Sequence, residues 1–168
     1  MKPAVTALDD AAAWAVLEQV LDPEVPVLSV CELGIVRAVS VQGCQVDVTV
    51  TPTYSGCPAT EAIADAIRAA LLAAGAAQVQ VKTVFTPAWT SDWIGPAARE
   101  KLRAYGIAPP HLSHEPGAQP LRFHPRDVAC PRCGSARSER LSAFGGTACK
   151  ALYRCTECRE PFEYFKPI

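Results

Sequence analysis

The chain has 168 residues, 49% of them apolar and 20% charged, the balance of a globular protein rather than a disordered one. Sixteen Lys+Arg stand against 17 Asp+Glu, and a net charge of −1 argues against partners such as nucleic-acid phosphates or anionic lipid. No run of about 18 apolar residues offers an α-helical membrane span, and the first residues lack a basic segment followed by an apolar one, so the expected location is the cytoplasm.

Asp9 or Asp10 can cap a first helix reaching Leu21, with Trp14, Leu17, Val20 and Leu21 on one face and Asp22-Pro23 as its stop. Two strands follow, Ile35 to Val41 and Cys44 to Thr51, turning at Gln42-Gly43. Val46, Val48 and Val50 alternate with Gln45, Asp47 and Thr49, the period of a strand with one buried face. Pro58 to Ala74 reads as a second helix with Ile63, Ile67, Ala70, Leu71 and Ala74 on one stripe and Gly75 beyond its end. A third strand is expected over Val79 to Phe85 and a short helix over 96–105 before Gly106. This order predicts a small α/β layer fold over residues 1–108.

Residues 109–127 hold five of the 15 Pro and little apolar periodicity, which predicts a stiff linker. Residues 128–168 hold five of the eight Cys and form a third zone. Within it, Cys130-Pro-Arg-Cys133 and Cys155-Thr-Glu-Cys158 are two CxxC pairs. Each pair lets two thiolates converge on one ion from a tight turn, and two pairs supply the four soft ligands of a closed tetrahedral zinc site. So short a segment cannot bury enough apolar surface to fold unaided, whereas zinc binding contributes about 10–16 kcal/mol to such modules. A structural Zn²⁺ ribbon is therefore expected, with an iron–sulfur cluster on the same four Cys as the alternative. Cys149 either packs as a small hydrophobe or replaces one ligand. Phe144, Tyr153, Phe162, Tyr164 and Phe165 either wall the metal site or present a docking face.

Elsewhere, Thr51-Pro-Thr-Tyr-Ser-Gly-Cys57-Pro58 places one thiol where a strand gives way to a helix. Unpaired N–H groups and the helix dipole favour a thiolate there by about 0.3–1 kcal/mol, so activation calls for a metal or for donors such as Thr53 and Ser55. A Cys–His hydrolytic pair is not expected, because His111, His114 and His124 all fall in the linker. Cys31 and Cys44 read as structural. Asp22-Pro-Glu24 is a helix stop with a solvated turn. If that turn folds towards Cys57, its carboxylates and the thiol make a transient, metal-responsive iron site.

Several segments resemble the SufT-like α/β domains of the metal–sulfur cluster assembly factor family. They are Asp22-Pro-Glu-Val-Pro-Val, Glu32-Leu-Gly-Ile-Val-Arg37, the Cys57 segment, Pro87-Ala-Trp89-Thr-Ser-Asp-Trp93 and Arg99 to Ile107. The tail, Phe144-Gly-Gly-Thr-Ala-Cys149 through Cys155 with Glu160 to Lys166, is similar to one branch of it, the accessory subunits of the phenylacetyl-CoA epoxidase system. The resemblance implies a SufT-like domain followed by a zinc ribbon, and a maturation role in aerobic phenylacetate breakdown without independent turnover. It implies Cys57 as a reactive thiol with Asp22, Glu24 and Thr53 as neighbours, and oxygenase or reductase components as partners. A homodimer is compatible with it. Relatives in that branch commonly end in Phe-Lys-Cys, whereas Pro167 stands here. The competing expectation is a non-catalytic scaffold that binds epoxidase components through its ribbon. A component acting in turnover ranks last, since no flavin, nicotinamide or di-iron motif is present.

Overall fold

A computed structural model describes residues 8–112 and 127–168. It divides into two compact units, Met1–Trp89 and Thr90–Ile168.

In the first unit, α1 (Asp10–Leu17) is capped by Asp9, whose carboxylate accepts from the Ala12 amide at 2.7 Å. The helix stops before the expected Leu21. Gln19 and Val20 donate to Val16 and Leu17, and the chain then folds back so that Leu21 bridges antiparallel to Ser29. Leu21 consequently faces solvent, while Leu17 and Val20 are buried. Strands β1 (Val36–Gln42), β2 (Gln45–Val50) and β3 (Gln78–Thr83) form a sheet in that order, β1–β2 antiparallel and β2–β3 parallel. A parallel pair requires a crossover connection, and α2 (Ala59–Ala73) supplies it. Ile63, Ile67 and Leu71 of α2 and Val46, Val48 and Val50 of β2 are buried, as their spacing predicts. The third strand ends two residues short of the expectation and leaves Phe85 exposed.

The second unit contains a 3-10 turn (Ser91–Trp93), α3 (Pro96–Tyr105), β4 (Ile107–Ala108), β5 (Ser138–Ser142), β6 (Lys150–Cys155) and β7 (Pro161–Phe165). Its sheet runs β4-β7-β6-β5, with β4 parallel to β7 and the other pairs antiparallel. Residues 90–108 thus lie with the C-terminal unit, although the sequence assigns them to a first domain ending at 108. A two-residue strand has no period to read, and its pairing with Glu163 and Tyr164 is far away in sequence. Arg99 fastens this segment. Its guanidinium donates to the carbonyls of Ile94 at 2.8 Å, Ser91 at 2.9 Å and Pro110, and the buried Ser91 exchanges backbone and hydroxyl bonds with Ile168. Gly106 takes φ 100° at the end of α3, a left-handed cap that favours glycine. Most of the expected linker, 113–126 with His114 and His124, lies outside the described residues.

No helix among the described residues is long and apolar enough to cross a membrane.

Candidate functional site

Two knuckles build the first site. Cys130 begins a turn closed by the Gly134 amide donating to the Cys130 carbonyl at 2.9 Å, and Gly134 takes φ 76° to make it. Cys155 ends β6, and a second turn carries Cys158 with Arg159 at φ 66° in the corresponding position. The sulfurs of Cys130, Cys133, Cys155 and Cys158 all lie within 4.8 Å of one another. Cys130 Sγ to Cys158 Sγ is 3.8 Å and Cys133 Sγ to Cys155 Sγ is 3.6 Å. Such distances are far beyond the roughly 2.05 Å of a disulfide. A tetrahedron of thiolates about 2.3 Å from one zinc ion has edges of roughly 3.8 Å, which these distances match. A multi-iron cluster spreads its thiolates over separate irons and does not fit between sulfurs this close. Cys130 and Cys155 are buried, Cys133 and Cys158 exposed, so the site is half sunk in its own small core of Ala108, Val128, Ala151, Tyr153, Phe162 and Tyr164. Tyr153 stacks on Phe162 and meets Tyr164 edge-on.

Cys149 is not part of the sulfur set. It is buried beside Thr147, Sγ to Oγ1 3.0 Å, and behaves as the small hydrophobe. Of the five tail aromatics, Tyr153, Phe162, Tyr164 and Phe165 are buried, whereas Phe144 is 63% exposed. His111 places Nδ1 2.8 Å from the Tyr164 hydroxyl and meets that ring edge-on.

The second candidate site lies in the first unit. Thr51 donates its amide to Ile35, Val84 donates to Val50, and the Trp89 indole N–H donates to Leu33 at 2.9 Å. The segments that follow β2 and β3, and the one that precedes β1, therefore meet at one end of the sheet, where a parallel pair opens towards ligands. Cys57 sits in the first of these segments, half-buried, and α2 begins two residues on, with Pro58 as the capping residue. Its amide donates to Tyr54 at 3.2 Å, and its carbonyl accepts from the Thr60 hydroxyl at 2.9 Å. Thr53 is half-buried in the same bend. Asp22 is buried, with Oδ1 accepting the amides of Glu24 and Val25 at 2.8 Å each, so this oxygen holds its own turn together. Glu24 is half-buried on that turn. Among the described residues, no three His, Cys, Asp or Glu side chains other than the four ribbon cysteines converge as metal ligands. Cys57, Asp22 and Glu24 do not make a preformed three-ligand site.

Two features escape a reading of periodicity and composition. Ser29 and Glu32 cap each other's amides reciprocally, at 3.1 and 3.0 Å, and the Ser-x-x-Glu spacing carries that signal. Thr51 is 1% exposed and its hydroxyl has no hydrogen-bond partner among the described residues, which no spacing predicts. Cys31 has its thiol pushed up to about 12 by burial, with Glu18 and Glu32 adding to it, and Cys44 is exposed where β2 begins.

A crossover α/β domain joined to a four-cysteine ribbon defines the class of the protein. Residues 10–83 match the family model described as iron–sulfur cluster assembly protein, and residues 115–166 match the PaaD zinc beta ribbon domain. The crystal structure of a domain of unknown function, DUF59, from Bacillus anthracis is similar over 55% of this chain and 90% of its own, with 26% identity and a TM-score of 0.52. A conserved hypothetical protein from Thermotoga maritima is similar over 57% of this chain and 95% of its own, with 28% identity and a TM-score of 0.50. The chain is also 52% identical over 157 residues to a protein of Escherichia coli (strain K12) named as a putative D-type component of 1,2-phenylacetyl-CoA epoxidase, covering 92% of this chain and 91% of that one. It belongs to the PaaD family of phenylacetyl-CoA epoxidase components.

Proposed function

We propose that the chain is a cytoplasmic accessory maturation factor that assists insertion of iron or an iron–sulfur cluster into a phenylacetyl-CoA epoxidase in aerobic phenylacetate breakdown. The observation that carries this reading is the position of Cys57, half-buried at the sheet end where three connecting segments meet, in a domain matching an iron–sulfur assembly model. A thiol with no preformed ligand set around it is suited to transfer rather than storage. It holds its cargo by one exchangeable bond, with Asp22, Glu24 and Thr53 as candidate neighbours after the loops adjust and with the client completing the coordination. The ribbon, with zinc in its four-sulfur site, is the structural element of this reading. The test is to co-express the epoxidase oxygenase and reductase components with the wild-type chain or Cys57→Ala, and to measure iron and sulfide in each purified component. Loss of metal from one component with Cys57→Ala, while the variant itself keeps its zinc and its fold, is the expected result. Full loading removes the transfer role.

A second reading is favoured by the exposure of Phe144: a scaffold that holds epoxidase components together through the ribbon. It predicts that binding to those components survives Cys57→Ala.

A further inference from the structure

We propose that the arm of the ribbon carrying Leu141 and Phe144 is the surface on which an epoxidase component docks, and that it receives a segment presenting a carboxylate beside an apolar side chain. This rests on the reading of the chain as an accessory of that enzyme system and names the surface it uses.

Leu141 is 49% exposed and Phe144 63% exposed, within three residues of each other on edge strand β5 and the turn after it. The ribbon has four other large aromatics to build its core and buries all four, so Phe144 is not required there. Nor is it loosely held. Its amide donates to Ser142 Oγ at 3.2 Å, the next amide, of Gly145, donates to the Lys150 carbonyl at 2.7 Å, and Gly146 donates to Glu163 at 2.8 Å. Lys166 reaches over from β7's end, donating to the Ala143 carbonyl at 3.2 Å with Nζ 4.6 Å from the centre of the Phe144 ring. An exposed aromatic fixed in advance loses little freedom on binding, the property of an interface anchor.

Charge identifies the occupant. Residues 90–168 carry 12 Lys+Arg against eight Asp+Glu. Three ribbon carboxylates are already taken: Glu139 by Arg154, Glu157 by Arg137 and Glu163 by Lys150. Arg140 on β5 and Lys166 over Phe144 have no carboxylate partner among the described residues. The apolar pair is thus flanked by cations without counter-charges among those residues, the complement of an acidic segment with an apolar anchor.

The experiment immobilises the zinc-loaded full chain and measures binding of the purified epoxidase oxygenase and reductase components separately, at about 50 and 300 mM salt. One component binds the wild-type chain. Phe144→Ala combined with Leu141→Ser weakens it at least about fivefold. Arg140→Glu combined with Lys166→Glu weakens it mainly at low salt and flattens the salt dependence. Leu72→Ser, an equally exposed leucine on α2, changes nothing. Zinc content and circular dichroism verify that each variant folds. Unchanged binding by both double variants overturns the docking surface and leaves the accessory reading standing. Failure of both components to bind even the wild-type chain overturns both.

Discussion

Lys150 and Glu163 form an ion pair at 2.7 Å across neighbouring strands, and Lys150 is only 6% exposed. The other carboxylate oxygen of Glu163 accepts the Gly146 amide, and a side chain at Gly145 would place its Cβ 2.8 Å from that oxygen. Burial works against ionisation of Glu163, but the bonds from Lys150 and Gly146 outweigh it and hold the carboxyl below its ordinary value. A carboxyl depressed on folding stabilises the fold above the ordinary carboxylate range, and that contribution is lost as pH falls through the depressed value. Glu163→Gln removes the charge that answers the buried Lys150 and is expected to cost about 2 kcal/mol at pH 7, with a smaller difference from wild type in acid. Urea unfolding of the two proteins between pH 7 and pH 3 measures it.

Thr51→Val is expected to stabilise the first unit. The Thr51 hydroxyl is buried without a partner among the described residues, and replacing an unsatisfied polar group by an apolar one of the same shape recovers about 1 kcal/mol. The two residues differ only in exchanging hydroxyl for methyl, so a lower melting temperature for the variant would mean that the hydroxyl has a bound partner in solution.

Arg159→Gly is expected to stabilise the ribbon as well. Arg159 holds φ 66°, the one non-glycine residue with positive φ among those described, where the other knuckle uses Gly134. A left-handed conformation costs a side-chain-bearing residue about 1–2 kcal/mol, partly offset by the greater freedom of glycine in the unfolded chain. The net gain is about 0.5–1 kcal/mol. Thermal unfolding at fixed zinc checks it, and Gly134→Ala should move the midpoint the opposite way.

The core of the first unit is legible in the sequence because it obeys local periods: the Val alternation of β2 and the Ile63, Ile67, Leu71 stripe of α2 each fix which face is buried. The four metal ligands are legible because CxxC spacing encodes a turn. What is not legible depends on distant partners. The end of α1 is decided by the fold-back that pairs Leu21 with Ser29, and the membership of residues 90–108 by a two-residue strand and the reach of Arg99. The same limit applies to Asp22. Its sequence neighbours suggest a ligand, but its geometry shows an oxygen occupied by the amides of its own turn.

Alkylation should separate the two thiols of the first unit that differ in surroundings. Burial and the carboxylates of Glu18 and Glu32 push the Cys31 thiol up to about 12, so it carries almost no thiolate at pH 8. Cys57 is half-buried just ahead of a helix start, and is expected to react with iodoacetamide many-fold faster in the zinc-loaded chain. Peptide mass spectrometry over time resolves the two sites, and equal rates would contradict the assignment of Cys31 as the inert one.

Metal removal tests the ribbon most directly. Cys155 is fully buried at the end of β6, and Cys130 belongs to the same small core, so the ion joins the first knuckle to the β6–β7 hairpin. Without it, two buried thiols face two exposed ones across 3.6–3.8 Å with only weak S–H bonds between them. One zinc per chain is expected, and Cys130→Ser or Cys155→Ser should lose the metal and the near-ultraviolet signal of Tyr153, Tyr164 and Phe162 together, since metal binding and folding of such a module are one equilibrium. Cys149→Ser is the discriminating partner experiment. Its sulfur bonds to Thr147 and stays out of the cluster, so the variant should retain full zinc while losing a little stability from the polar oxygen placed in a buried site. Zinc loss from Cys149→Ser equal to that from Cys130→Ser would put the fifth cysteine back among the ligands.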